Sequence, residues 1–232
     1  MGAYMNKQIE NQMNSQMKNE MKGQFKGLTM SNSRSRQQGF SLIELVIVIV
    51  ILGLLAATAI PRFLNVTDDA ENASLDGVAG GLATAVGFVR AQWEVDGRNN
   101  NTVILDGTSV SLDTRFGFPT GTVPNATNVT AMNDNRCQQV FNSILQSAPR
   151  NVQFSADARN QRYTVRMLAG VGGNAISLNG DTVNGIDLCV YHQVASLVLD
   201  QATGVPTPTP DLNVGKGITY NPGTGTVVSF TN

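Results

Sequence analysis

Phe40 to Ile60, FSLIELVIVIVILGLLAATAI, is 21 residues of apolar sequence interrupted by a single charge, Glu44. Wound as a helix at about 1.5 Å per residue it would measure roughly 31 Å, the thickness of a bilayer's hydrocarbon core. A carboxylate in such a span is costly and marks function. The plainer reading is a signal anchor whose Glu44 rests near the interface, where the cost is small. Immediately upstream stands Arg34-Ser35-Arg36-Gln37-Gln38-Gly39, basic, polar and closed by glycine, and the next charge downstream is Arg62.

The formal net charge of −1 hides an asymmetry. Residues 1–39 carry a net +4 and residues 40–232 a net −5. Basic residues stay on the cytoplasmic side of a span, so the C-terminal part should face outward. An acidic exported part leaves no electrostatic footprint for nucleic acid. Only two cysteines occur, Cys137 and Cys189, both beyond the span. In an oxidising compartment such a pair is read as one disulfide, the alternative being two buried free thiols.

The junction Gly39|Phe40-Ser41-Leu42-Ile43-Glu44 resembles the prepilin-peptidase site of type IV pilins and of type II secretion pseudopilins. The resemblance implies cleavage after Gly39 and N-methylation of Phe40. It also implies that Glu44 pairs with the N-terminus of a neighbouring subunit during assembly. The run Pro61-Arg62-Phe63-Leu64-Asn65 with Asp68-Asp69-Ala70 is similar to mannose-sensitive haemagglutinin (MSHA) pilins. Tyr220-Asn221-Pro222 and Thr224-Gly225-Thr226-Val227 are similar as well. The expected function is therefore structural: an MSHA-like subunit, not an enzyme, polymerising with other pilins, held in the inner membrane before assembly and extracellular afterwards. Its implied partners are the prepilin peptidase and a surface or glycan receptor. The rival reading, a pseudopilin of type II secretion, is disfavoured by the cysteine pair and the segment from Pro61 to Ala70.

The fold expected is α+β: a long N-terminal helical spine, apolar in its first half, packed on an antiparallel β-sheet head. Residues 1–39 form the leader, 40–60 the transmembrane and assembly helix, 61–97 an amphipathic continuation and 98–232 the head. Residues 1–38 hold six of the eight methionines, show no recurring apolar face and read as disordered. Translation from Met30 would shorten the leader. Pro61 should end or kink a helix, yet Leu75, Val78, Leu82, Val86, Val89 and Trp93 resume at spacings of three and four. We expect one helix, bent near Pro61 and ending near Asp96-Gly97, with Asp68, Asp69 and Glu71 on its solvated face. Gly77, Gly80, Gly81 and Gly87 would permit close backbone approach to the sheet, or local melting.

From Thr102 the period becomes 2. Val103–Leu105 and Val110–Leu112 flank an Asp106-Gly107 hairpin signal, and a loop is expected from about Thr120 to Thr130. Asn133 or Asp134 should cap a short helix carrying Cys137, Val140, Phe141, Ile144 and Leu145, closed by Pro149. Short strands are expected at 152–154, 163–168, 175–178, 186–194 and 197–199, punctuated by glycine. Thr207-Pro208-Thr209-Pro210 reads as an extended linker, and 218–220 with 227–230 as a last hairpin.

No chemistry emerges from the remaining motifs. His192, the sole histidine, lies in an apolar strand pattern without a His/Cys/carboxylate cluster nearby, and no metal or cofactor is expected. There is no Gly-x-Ser-x-Gly elbow, and Gly170-Val171-Gly172-Gly173 lacks the Lys-Ser/Thr of a phosphate loop. Asn72-Ala73-Ser74, Asn125-Ala126-Thr127 and Asn128-Val129-Thr130 match a glycosylation sequon. The 200–211 loop, with Asp200 and Asp211, is a poor calcium candidate.

Overall fold

The structure is a computed structural model that describes residues 40–123 and 127–232, with the side chains of residues 64 and 65 excepted. Leader residues 1–38, Gly39 of the processing junction and Asn125 of the middle sequon lie outside the described residues. Helix α1 spans Leu42–Val95 and contains Pro61. The chain divides within it, residues up to Ala57 belonging to one unit and Thr58–Asn232 to the other. Pro61 lacks an N–H and so forgoes a single hydrogen bond, which 54 residues of helix absorb.

The second unit is α+β. From Leu75 onward α1 buries Leu75, Ala79, Leu82, Val86, Val89 and Trp93, a stripe at alternating spacings of four and three. Ala79 takes the place expected of Val78, which is only partly buried. The helix ends in a Schellman arrangement: Arg98 N–H donates to Trp93 O (3.0 Å) and Gly97 N–H to Glu94 O (3.1 Å), with Gly97 at φ +79°. Gly77, Gly80 and Gly87 have nothing within 4 Å of where a Cβ would stand, and Gly81 has only Leu145 at 3.7 Å. These glycines sit on the exposed face, so they neither seat a sheet nor break the helix.

A three-stranded antiparallel sheet comprises β1 (Thr102–Leu105), β2 (Thr108–Asp113) and β3 (Phe118–Gly121). Asp106 and Gly107, at φ 47° and 80°, make the two-residue left-handed turn that suits strand twist. Strand β3 runs into the start of the loop expected from about Thr120. Pro119 is tolerated there because β3 is an edge strand, where an absent N–H costs no ladder bond.

Helix α2 (Asp134–Ile144) follows, capped by Asn133, whose side chain accepts from Arg136 N–H. The five-stranded sheet then runs in the order β4 (Asn151–Gln153), β5 (Tyr163–Ile176), β6 (Thr182–Gln193), β7 (Lys216–Tyr220), β8 (Val227–Thr231). All its pairings are antiparallel except β4 with β5, which is parallel. Strand β5 unites segments that the glycines at 170–173 seemed to separate. Gly170 and Gly173, at φ 69° and 74°, accommodate irregularities rather than ending the strand. No strand forms at 197–199. A single bridge joins Leu199 to Pro206, and a proline cannot extend the ladder.

One core joins α1, α2 and the inner faces of both sheets. Phe141 of α2 stacks on Tyr191 of β6 with centroids 4.5 Å apart, and the Tyr191 hydroxyl donates to Cys137 O at 2.9 Å. Cys137 and Cys189, both fully buried, are joined by a disulfide that ties α2 to β6. Tyr220 of β7 donates to Pro119 O at 2.7 Å and so links the two sheets. Burial pushes both phenols well above the ordinary tyrosine range, so they stay neutral donors.

Candidate functional site

The candidate site is the start of α1. Ser41 precedes the first helical residue, and its backbone N–H donates to Glu44 Oε2 at 3.2 Å. Leu45 N–H donates to Ser41 O at 3.2 Å, closing the first turn. Glu44 is thus the third helical residue and reaches back to the cap, half of a capping box. Its charge also faces the positive end of the helix dipole. The sequence reading singled out Glu44 as the lone charge of the span but did not foresee the cap. The signal was available as Ser41 followed three residues later by Glu44.

Every residue from Phe40 to Thr58 is exposed in the single chain, Phe40 to 87%. The helix is long and apolar enough to cross a membrane. So large a continuous apolar surface is not stable in water and calls for lipid or other helices around it. The one carboxylate on it is not sealed away: Glu44 is exposed and accepts Ser41 N–H.

Further along α1, Asp68 and Asp69 are exposed as expected, while Glu71 is half-buried. Lys216 Nζ of β7, 17% exposed, lies 3.5 Å from Glu71 Oε2 and 3.8 Å from Asp68 Oδ1. Ser229 Oγ of β8 donates to Asp76 Oδ1 at 2.7 Å. These contacts fasten the last hairpin to the helix. The reason is positional: Asp68, Glu71 and Asp76 flank the buried stripe, so the sheet edge lies within their reach.

Sequence reasoning passed over two buried carboxylates that staple the 128–132 loop. Asp187 of β6 accepts Met132 N–H and Gly170 N–H, both at 2.9 Å. Asp113 of β2 accepts Val129 N–H at 3.1 Å and pairs with Arg115 at 2.7 Å, which raises the Arg115 pKa. Buried carboxylates with backbone donors organise loops rather than react. Asp200 and Asp211 serve as turn caps, Asp200 Oδ1 accepting from Thr203 N–H at 2.7 Å and Asp211 Oδ1 from Asn213 N–H at 2.8 Å. Among the described residues no cluster of three or more His, Cys, Asp or Glu is placed to hold a metal ion.

A surface cleft on the head is lined by Arg90, Arg115, Phe116, Phe118 and Ile176. Both cations are already matched, Arg90 by Glu94 and Arg115 by Asp113. Arg90 also lies 5.2 Å over the Phe118 ring and 5.1 Å over Trp93. Their arrangement is that of packing.

Residues 34–60 match the family model described as "Prokaryotic N-terminal methylation motif". The chain carries that motif. It is also similar to the type IV narrow pilus major component PilA5 of Thermus thermophilus, with 47% identity over 57 residues. That stretch is 25% of this chain and 49% of the relative, so the chain spans about half the length of the curated protein it matches. No solved structure matches the chain.

Proposed function

We propose that this chain is the precursor of a type IV pilus subunit. The observation that carries the proposal is the methylation motif at 34–60, whose apolar residues from Phe40 to Thr58 are exposed. In this reading the prepilin peptidase removes residues 1–39 after Gly39, and the new N-terminal Phe40 is methylated. Residues 40–60 hold the precursor in the inner membrane, and basic residues 34 and 36 keep its N-terminal side cytoplasmic. On assembly the same surface exchanges lipid for neighbouring helices, at little change in apolar burial. Residues 98–232 form the extracellular head, with 61–97 joining the two.

Glu44 sets the register. Its carboxylate pairs with the freed Phe40 amine of the adjacent subunit, one charge completing the other as both leave water. The finer assignment, an MSHA-like pilin, is supported by Pro61–Asn65, Asp68–Ala70 and the segments 220–222 and 224–227, and surface attachment follows from that likeness. The receptor would be a surface or a glycan.

The test separates capping from pairing. Glu44→Gln keeps an oxygen for Ser41 N–H but loses the charge. If Glu44 only caps its helix, Glu44→Gln should assemble normally. If it pairs with a neighbour's amine, Glu44→Gln should insert and lose its leader normally yet give few fibres. Stranding one member of a buried pair costs about 3–5 kcal/mol, enough to abolish a contact repeated at every subunit. Wild-type fibre numbers from Glu44→Gln with normal cleavage would sink the pairing role.

A further inference from the structure

The sheet face opposite α1 is covered by a strap, residues 197–215, which runs from the turn at Val194–Ser196 to β7. Gly204, Pro206 and Pro210 of the strap are buried, while Thr207, Pro208 and Thr209 of its proline run are exposed. Two of its carbonyls meet side chains rising from the sheet. The Arg166 guanidinium of β5 donates to Pro210 O, and His192 Nε2 of β6 lies 2.7 Å from Asp211 O.

A carbonyl can only accept, so Nε2 carries the proton and Nδ1 is the bare nitrogen. His192 is fully buried, and its Nδ1 has no hydrogen-bond partner among the described residues. Thr164, directly opposite in the β5–β6 register, also has a buried hydroxyl without one. The Phe230 ring of β8 stands edge-on to the imidazole at 5.5 Å, and Gly217 of β7 lies opposite it in register. The charged groups facing it are Arg166 from β5 and Asp211 from the strap. Lys216 of β7 is engaged with Glu71 and Asp68 of α1.

We propose that His192 is an acid-sensitive latch: a second proton, taken up on Nδ1, releases the strap 197–215 while the rest of the head stays folded. An Nδ1–H inside the closed strap has no acceptor and adds a positive charge beside Arg166. Burial is the main effect holding His192 below its ordinary value near 6.5; the Asp211 carbonyl opposes it and Arg166 adds to it. With the strap open, the imidazole meets water and regains its ordinary value. The closed strap is therefore most stable above about pH 6.5 and loses stability as pH falls from there toward the lowered closed-state value. In that window the opening constant should rise as pH falls, by at most about tenfold per pH unit. The anchors of the opposite face, the disulfide and the hydroxyls of Tyr191 and Tyr220, do not titrate there.

The experiment uses the full chain in detergent micelles. Because His192 is the sole histidine, one imidazole resonance reports its titration without any variant. Amide exchange of 197–215, corrected for intrinsic rates, reports strap opening at pH 7.5, 5.5 and 5.0. Expected are a midpoint below 6.5, the stated rise confined to 197–215, and a flat profile in His192→Gln, which can still donate to Asp211 O. A midpoint at or above 6.5, pH-independent strap exchange, loss of protection across the whole head, or the same acid rise in His192→Gln would each overturn the latch. Should His192→Gln fail to fold, the wild-type resonance and exchange profile decide.

Discussion

Removing the Cys137–Cys189 bridge should weaken the head by about 4 kcal/mol. The bridge spans a sequence separation of 52 residues, and the chain-entropy relation for a loop of that size gives about that figure. Stabilities of single domains run to about 5–15 kcal/mol, so the loss is a large share. With a urea slope of about 2 kcal/mol/M the midpoint should fall by about 2 M. The perturbations are Cys137→Ala, Cys189→Ala, the double variant and reduced wild type. The assay is urea unfolding followed by Trp93, the sole tryptophan and a fully buried one. Each variant deletes the same cross-link, so the four midpoints should nearly coincide. Both sulfurs are fully buried, so native wild type should also resist thiol labelling and mild reductant. Single variants whose losses add in the double, or a midpoint unmoved by any of them, would refute the bridge as the link between α2 and β6.

Asp187→Ala leaves Met132 N–H and Gly170 N–H without an acceptor, at about 1–3 kcal/mol for each buried donor; Asp187→Asn should cost about half as much, and urea midpoints compare them. Gly117→Ala should destabilise by about 2–4 kcal/mol, because Gly117 has φ +76° and its Cβ would stand 2.4 Å from the Trp93 ring; the displaced indole should shift its emission to the red. Tyr220→Phe removes the donor to Pro119 O and should cost about 1 kcal/mol, read by thermal unfolding.

The helices were legible because their signals are local. An apolar run, a three-four stripe and Asn133 ahead of α2 each report on neighbours a few residues away. The Asp106-Gly107 turn was legible for the same reason. Strand β3 was hidden by Pro119, since only its position at a sheet edge makes a proline harmless, and edges are set by tertiary pairing. The parallel pairing of β4 with β5 was invisible too, as strand direction leaves no mark on a three-residue run. The glycines of β5 resembled breaks because a bulge and a turn ask for the same positive φ.

The candidate site divides along the same line. Glu44 was prominent as the lone charge in Phe40–Ile60, and its distance from Ser41 encoded the cap. Asp113 and Asp187 were not prominent. The loop amides they hold, Val129 N–H for Asp113 and Met132 N–H for Asp187, lie 16 and 55 residues away, so the stapling role leaves no local mark. His192 was located correctly in a buried strand, but its strap partner Asp211 comes from the 200–211 loop, which was weighed only as a calcium site.

The most direct measurement is the N-terminus of the chain recovered from sheared surface fibres, read by mass spectrometry. The expected result is a peptide beginning at N-methylated Phe40, with no fibre subunit retaining residues 1–39. Fibres whose subunits keep those residues, or begin at any other position, would contradict the account.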